Sequence, residues 1–168
     1  MFHLKALDEY SEACKTRLPM SVMIEYEIVP HVGVEPIRFG MTREEVHAEF
    51  GLPEFTSRDN REEFMNGFMV DFNAGGAVEF IELAKSYQFR ALFNNRCLHE
   101  LLADEAVAFV RQYDHYKEDD PELGYSYLFL DLQLSLWRPT VPETAQPLDD
   151  PDGRYFYAVG LAKDGYFT

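Results

Sequence analysis

The sequence predicts an α+β fold in which an antiparallel sheet is flanked by helices, and three observations support this fold class. A short helix at 42–50 has signals at both ends, and the segment NAGG (73–76) separates two apolar stretches. Residues 125–137 alternate between apolar and polar side chains, as a half-buried strand does. The chain has 168 residues, 46% hydrophobic and 15% aromatic, which is enough to fill one core. We therefore expect a single domain spanning residues 1–168.

The first expected elements are a helix at about 4–18 and a strand at 22–29. Four residues recur near one face of this helix, which Pro19 ends: Leu4, Leu7, Cys14 and Leu18. The strand segment, VMIEYEIV, alternates in polarity, although the pattern leaves open which of its faces is buried.

The segment RFGMTREEVHAEFGLP (38–53) specifies the helix at 42–50. Thr42 and Glu45 have the spacing of a capping box, in which each side chain binds the backbone N–H of the other. Gly51 and Pro53 end the helix, since glycine adopts the left-handed conformation and proline cannot continue a helix. The alternative is a catalytic or metal pair between His47 and a carboxylate of the first turn, but His47 has no second ligand at a metal-site spacing. We interpret His47 as structural.

An antiparallel meander is expected after this helix. It consists of a possible strand at 62–66 and of GFMVDF (67–72) and AVEFIELA (77–84), which are joined by the NAGG turn. The glycines of this turn belong to a hairpin and not to a phosphate loop, because neither GxGxxG nor GKS/T follows a strand.

The second half repeats the order of helix and meander. Apolar residues at helical spacing predict a helix at 99–113. Residues 125–137 are expected to form one long strand ending at Pro139, and an acidic, proline-containing loop at about 139–153 leads to a last strand within RYFYAVGLA (154–162). The two halves are possible products of a diverged duplication, since they share this pattern but not sequence identity.

The net charge of the chain limits the class of partner that we expect it to bind. The chain carries 30 acidic and 15 basic residues, a net charge of −15, which argues against binding nucleic acid or an anionic membrane and favours a basic protein. The first twenty residues contain acidic side chains and no long apolar run, so we expect neither a signal peptide nor a membrane span. The expected location is the cytoplasm.

No pattern indicates catalysis, a cofactor or a metal. The five histidines lack the spacing of zinc ligands, and no GxSxG motif surrounds a serine. Weak binding of Ca²⁺ to the acidic loops is left open, for example through Asp114, Asp119 and Asp120. Cys14 and Cys97 have no CxxC spacing and are expected to be reduced, although a disulfide between them is also left open.

The acidic residues cluster in two segments, and tyrosines lie in or next to both of them in the sequence. Segment 103–122 has seven acidic and two basic residues, and segment 143–153 has four acidic residues and no basic one. The candidate partner-binding residues are Asp114, Tyr116, Glu118, Asp119, Asp120, Glu122, Tyr125, Asp149, Asp150, Asp152 and Tyr155. Each tyrosine is equally well explained as a core residue.

Two resemblances add to this interpretation. GMTREEVHAEFGLP (40–53) resembles the helix motif of small α+β proteins of the SmpA/BamE and β-lactamase-inhibitor-protein type, in which a capped helix precedes an antiparallel meander. Because the chain has no lipobox cysteine, a role in outer-membrane assembly does not follow. The wider pattern, YEIVPHVGVEPIRFGMTREEV through GAVEFIEL to LSLWRP and GRYF, is similar to small bacterial cytoplasmic proteins found as immunity proteins beside toxins.

Three hypotheses for the function follow. The first is a non-enzymatic immunity protein that inhibits a basic bacterial toxin. The second is a structural or assembly module that holds a partner, and the third is an enzyme of unrecognised type.

Overall fold

The computed structural model describes residues 23–58, 60–143 and 153–168. The helix expected at 4–18, Cys14 and the central part of the loop expected at 139–153 lie outside these ranges. The elements are β1 (Ile24–Val29), β2 (Gly33–Val34), β3 (Ile37–Arg38), α1 (Arg43–Phe50), β4 (Phe55–Thr56), β5 (Arg61–Phe64), β6 (Phe68–Phe72), β7 (Val78–Ala84), β8 (Phe89–Phe93), β9 (Arg96–Cys97), α2 (Ala103–Val110), β10 (Ser126–Phe129), β11 (Leu134–Trp137) and β12 (Ala158–Ala162). Over these described residues the fold is therefore mixed α+β, rich in strands and poor in helix.

The strands form two sheets. The larger sheet has seven strands in the order β10-β11-β12-β7-β6-β5-β4, with antiparallel neighbours throughout. The smaller sheet has the order β3-β2-β1-β8-β9, and its central pair β1 and β8 is parallel. The expected single antiparallel sheet is thus replaced by two mostly antiparallel sheets, because the segments 24–29 and 89–93 pair with each other instead of joining the meander.

Each strand of the larger sheet presents alternate residues to two faces, as the pleat requires. Residues that are paired in register share a face, and we call the buried side the inner face. Its members include Glu62, Phe64, Phe68, Val70, Ile81, Leu83, Leu134, Leu136, Val159 and Leu161. The opposite side is the outer face, and it includes Arg61, Glu63, Met69, Asp71, Phe80, Glu82, Ala84, Ser135, Trp137, Ala158 and Gly160.

The core lies between the inner face, the smaller sheet and the helices. Tyr26 of β1 contacts Phe68 and Phe89 edge-on, with ring centroids 5.4 Å and 5.7 Å apart. The ring of Phe50 at the end of α1 lies 4.8 Å from that of Phe68. These contacts join both sheets and α1 into one aromatic cluster. Neither described helix is long and apolar enough to cross a lipid bilayer.

The capping box of α1 is confirmed. The hydroxyl of Thr42 accepts a hydrogen bond from the backbone N–H of Glu45 at 3.3 Å, and the N–H of Thr42 donates to Oε2 of Glu45 at 2.8 Å. Gly51 follows the helix at a φ of 80°, a conformation that favours glycine. The expected helix therefore begins and ends as its sequence indicates.

The NAGG turn between β6 and β7 is also confirmed. The side-chain oxygen of Asn73 accepts from the backbone N–H groups of Gly75 and Ala77 at 2.9 Å and 3.0 Å. The possible strand at 62–66 is observed as β5, which ends at Phe64 because Met65 and Asn66 have positive φ angles and form a turn.

The prediction of one long strand at 125–137 is wrong. The segment folds into the hairpin β10–β11, in which Ser126 pairs with Trp137 and Phe129 pairs with Leu134. The apolar alternation continues through the connecting turn, 130–133, and so conceals it. Gln133 adopts a positive φ of 52°, and its side-chain Nε2 donates a hydrogen bond to the Leu130 carbonyl, which stabilises the turn.

The helix expected at 99–113 is shorter than predicted. α2 begins at Ala103 because the preceding Leu102 is extended and pairs with Tyr155 in an isolated bridge. After Val110 the chain tightens into three-residue turns, with the N–H of Tyr113 bonded to the Val110 carbonyl. The order of a helix followed by an antiparallel meander occurs twice, and both meanders belong to the larger sheet.

Candidate functional site

The acidic loop, which we define as residues 114–125, connects α2 to the edge strand β10. It is fixed against that strand by backbone hydrogen bonds, from Lys117 N–H to the Leu128 carbonyl and from Ser126 N–H to the Glu122 carbonyl. Asp120 stabilises the tip, since its Oδ1 accepts from the N–H of Glu122 at 2.8 Å. These hydrogen bonds therefore hold the acidic loop in a defined conformation against β10.

Four carboxylates of the acidic loop face solvent or are half-buried: Glu118, Asp119, Asp120 and Glu122. None of the four forms a salt bridge with another residue in the described part of the chain. Tyr125 follows them with 48% of its surface exposed, and Tyr113, just before the loop, is 49% exposed. Unpaired negative charge and exposed aromatic surface thus lie next to each other.

Two other candidate residues of the acidic loop, Asp114 and Tyr116, have structural contacts. Asp114 is buried at 8% exposure, and its carboxylate accepts from the backbone N–H groups of His115, Asp131 and Leu132. The ring of Tyr116 is partly buried and lies 5.1 Å from that of Tyr127. These contacts tie the acidic loop to the β10–β11 turn, so Asp114 is not part of the exposed surface.

Tyr155 also packs within the fold. It is half-buried, pairs with Leu102, and carries the ammonium of Lys85 4.8 Å from its ring centroid. Asp149, Asp150 and Asp152 lie outside the described residues. Among the candidates in the described part of the chain, the exposed ones are therefore Glu118, Asp119, Glu122 and Tyr125, together with the half-buried Asp120.

A second surface, which the sequence did not reveal, is a groove of about 640 Å³ on the outer face; we call it the outer groove. Its floor contains Gly67 and Ala84, and two carboxylates, Glu63 and Glu82, belong to its lining. Tyr87 and Tyr157 also line it and are 92% and 53% exposed. The sequence contains glutamates at positions 63 and 82, but only the register of β5, β6 and β7 aligns them on one face.

Glu62 forms the strongest charged cluster of the inner face. It is 3% exposed, and its two carboxylate oxygens accept from Nε of Arg43 at 2.6 Å and from Nε2 of His47 at 2.7 Å. A carboxylate that orients a histidine is one part of acid–base machinery. None of these three residues lines the outer groove, and the contacts themselves link α1 to β5. His47 therefore pairs with a strand carboxylate and not with the glutamates of its own helix.

Two further titratable residues are buried near β7 and β9. Burial lowers the pKa of His99 to about 4, and its ring Nε2 binds the Leu83 carbonyl at 3.0 Å. Burial raises the pKa of the Cys97 thiol. Neither residue lines the outer groove. Within residues 23–58, 60–143 and 153–168, no three side chains of His, Cys, Asp or Glu converge as metal ligands.

Comparison of the chain with models of protein families, with curated proteins and with solved structures found no match.

Proposed function

We propose that this chain is a non-enzymatic protein-binding domain of the immunity type, which binds and inhibits a basic bacterial toxin. One observation carries the proposal: the acidic loop presents four carboxylates without salt-bridge partners in the described structure, next to the exposed ring of Tyr125. Carboxylates that are not neutralised internally are available to the cations of another protein.

The distribution of the cations supports the same conclusion. Four of them form salt bridges within the fold: Arg43, Arg61, Arg90 and Lys163. Arg138 is 6% exposed and donates to the backbone carbonyls of Gly124 and Gly153. These five basic residues thus pair within the protein, and the chain as a whole keeps a net charge of −15.

A toxin that acts on nucleic acid needs lysine and arginine to hold phosphate. An inhibitor that presents carboxylates at the positions of phosphates gains steered association and specificity from the same charges. The acidic loop is suited to this role because its hydrogen bonds to β10 fix its shape before binding, which reduces the entropy cost of association. We propose the cytoplasm as the location, since a toxin that attacks its own producer must be blocked there.

The first test is affinity capture from the native host, followed by mass spectrometry and by co-expression of any captured toxin. The wild-type chain is compared with a triple variant carrying Glu118→Gln, Asp119→Asn and Asp120→Asn. A matched control carries Glu35→Gln, Glu44→Gln and Glu49→Gln, three exposed glutamates elsewhere whose loss changes the net charge equally.

We expect the wild type and the control to retain a basic protein and to relieve its toxicity, and the loop variant to do both less well. Capture of the same proteins by all three chains, or a captured partner without basic character, would contradict the proposal.

A further inference from the structure

Two of the residues that line the outer groove, Gly67 and Ala84, are small, buried and next to each other. Ala84 pairs with Ala158 across β7 and β12, and the N–H of Ala84 donates to the Gly67 carbonyl at 2.8 Å. A Cβ on Gly67 would lie 3.1 Å from the Cβ of Ala84, and Gly67 has a φ of 123°, which disfavours any other residue. The backbone conformation and the close contact with Ala84 therefore require a glycine at position 67, which leaves this part of the groove without a side chain.

Aromatic rings stand beside this floor. Tyr87 is 92% exposed, although tyrosine usually buries much of its ring, and Tyr157 is 53% exposed. Tyr157 contacts Trp137 edge-on, with ring centroids 6.2 Å apart. Exposed, neighbouring aromatic rings of this kind are typical of surfaces that bind another molecule.

The groove is also acidic. Glu63, Met69 and Glu82 are aligned across β5, β6 and β7, so the α-carbons of the two glutamates are about 10 Å apart. Glu63 forms no salt bridge or side-chain hydrogen bond with another described residue, whereas Glu82 accepts from Arg61 at 3.2 Å. Lys85, the cation of the lining, directs its ammonium to the ring of Tyr155.

The outer face already binds one guanidinium of the chain itself, that of Arg61. Arg61 binds both oxygens of Asp71, at 2.6 Å and 2.9 Å, and its Nη1 lies 3.7 Å from the sulfur of Met69. Met69 and Glu82, which contact Arg61 themselves, also line the outer groove, where Glu63 adds a carboxylate and Tyr87 and Tyr157 add aromatic rings. A planar guanidinium stacks on aromatic rings and pairs with carboxylates, and its methylene stem covers apolar surface.

We propose that the outer groove binds an arginine side chain of a basic protein partner, with the guanidinium between Glu63 and Glu82 and against Tyr87 or Tyr157. The charge complementarity argues for this occupant over a second copy of the chain, because two copies with a net charge of −15 repel each other. The inference shares with the proposed function the assumption of a basic protein partner, but it assigns a different surface.

The native reporter for a test is Trp137, the single tryptophan of the chain, which contacts a ring of the groove. The probe is a tetra-arginine amide peptide, titrated into the full chain at a constant 100 mM salt while the tryptophan emission is followed. A tetra-citrulline peptide of the same shape but without charge is the ligand control. Glu63→Gln in the groove and Glu49→Gln on helix α1 are matched variants, since each removes one exposed or half-exposed carboxylate, and Glu118→Gln tests the acidic loop as the alternative site.

We expect saturable binding of tetra-arginine, no binding of tetra-citrulline, and an affinity about threefold lower for Glu63→Gln, in the range of partly exposed ion pairs. Tyr87→Ala should lower the affinity about twofold to fivefold, the magnitude of an exposed cation–π contact, without affecting the fold. Glu49→Gln should bind like the wild type, because this residue belongs to neither surface.

Three outcomes overturn the inference. They are the absence of saturable binding, an equal loss in Glu63→Gln and Glu49→Gln, which indicates attraction by net charge alone, and a loss confined to Glu118→Gln. The last outcome assigns the peptide to the acidic loop, so the inference fails while the proposed function stands. A loss confined to Glu63→Gln supports the groove whatever affinity capture recovers through the acidic loop.

Discussion

The imidazole Nε2 of His47 donates to Oε2 of Glu62 at 2.7 Å and thereby joins helix α1 to strand β5. The other oxygen of the same carboxylate accepts from Nε of Arg43 at 2.6 Å. Arg43 and His47 are four residues apart, so they lie on one face of the helix in successive turns. A single buried carboxylate therefore fixes both the position and the rotation of α1.

Glu62→Gln should destabilise the protein by about 1–3 kcal/mol, the cost of unsatisfied buried hydrogen-bonding groups. The amide has one acceptor oxygen, and its NH₂ group must face either Arg43 or His47, which are both donors. The measurement is the free energy of unfolding in urea. Glu63→Gln, on the outer face of the same strand, is the control and should change stability by less than about 0.5 kcal/mol. Equal effects at the two positions would mean that the cluster does not hold α1.

Thr42→Ala should lower the free energy of unfolding by about 1 kcal/mol, the usual cost of an N-cap. The hydroxyl that accepts from the N–H of Glu45 is lost, whereas the backbone N–H of residue 42 can still donate to Oε2 of Glu45. Thr42→Ser keeps the hydroxyl and should unfold close to the wild type. If alanine and serine behave alike, the capping box contributes nothing to stability.

The features that could be predicted from the sequence depend on residues close together in the chain. The capping box needs Thr42 and Glu45, and the hairpin turn needs Asn73 with its two glycines. Such signals specify the backbone locally, so periodicity and turn chemistry are sufficient to identify them.

The features that were missed depend on contacts between distant segments. The β10–β11 turn is held by Asp114, which binds the N–H groups of Asp131 and Leu132 from 17 and 18 residues away. The same contact buries an aspartate that the sequence placed at a partner surface. The outer groove needs the register of β5, β6 and β7, which aligns Glu63 with Glu82. Neither relationship follows from spacing along the chain.

His99 makes stability depend on pH. Burial lowers its pKa from 6.5 to about 4, so between these values the unfolded chain binds a proton that the folded chain does not. Stability is therefore complete above about pH 6.5 and decreases as the pH falls towards 4. Over this pH range the lowered pKa of His99 reduces the free energy of unfolding by an amount on the order of 3 kcal/mol.

His99→Gln isolates this effect from the carboxylates that titrate in the same range. We expect the variant to be less stable than the wild type at pH 7 and the difference to shrink as the pH falls to 4. Urea unfolding across the range measures it. The exposed His115→Gln is the matched control, and its curve should overlay that of the wild type. A constant difference between wild type and His99→Gln at all pH values would refute the buried, neutral state of His99.

Arg138 connects the two loops that flank the β10–β11 hairpin. Its Nε and Nη1 donate to the carbonyls of Gly124 and Gly153, each at 2.7 Å. Arg138→Lys should lower stability by about 1–3 kcal/mol, because one ammonium cannot satisfy two carbonyls that the guanidinium fork binds in different directions. Amide hydrogen exchange should rise around Gly124 as well. Arg96→Lys, at an exposed position, is the control; a loss of the same size there would point to a general effect of replacing arginine.

Association with the basic partner should slow markedly between low and physiological salt. Charges separated by more than about 8–10 Å are screened at physiological ionic strength, so steering by the acidic loop weakens there.

The triple variant Glu118→Gln, Asp119→Asn and Asp120→Asn should lower the on-rate more than it raises the off-rate, because the loop carboxylates act mainly on encounter. Asn at position 120 keeps an acceptor for the N–H of Glu122, so the loop shape should persist. Both rates can be measured by stopped-flow mixing with the purified partner. An on-rate unchanged by salt and by the triple substitution would remove the electrostatic basis for an inhibitor, and an assembly module would then account better for the same surface.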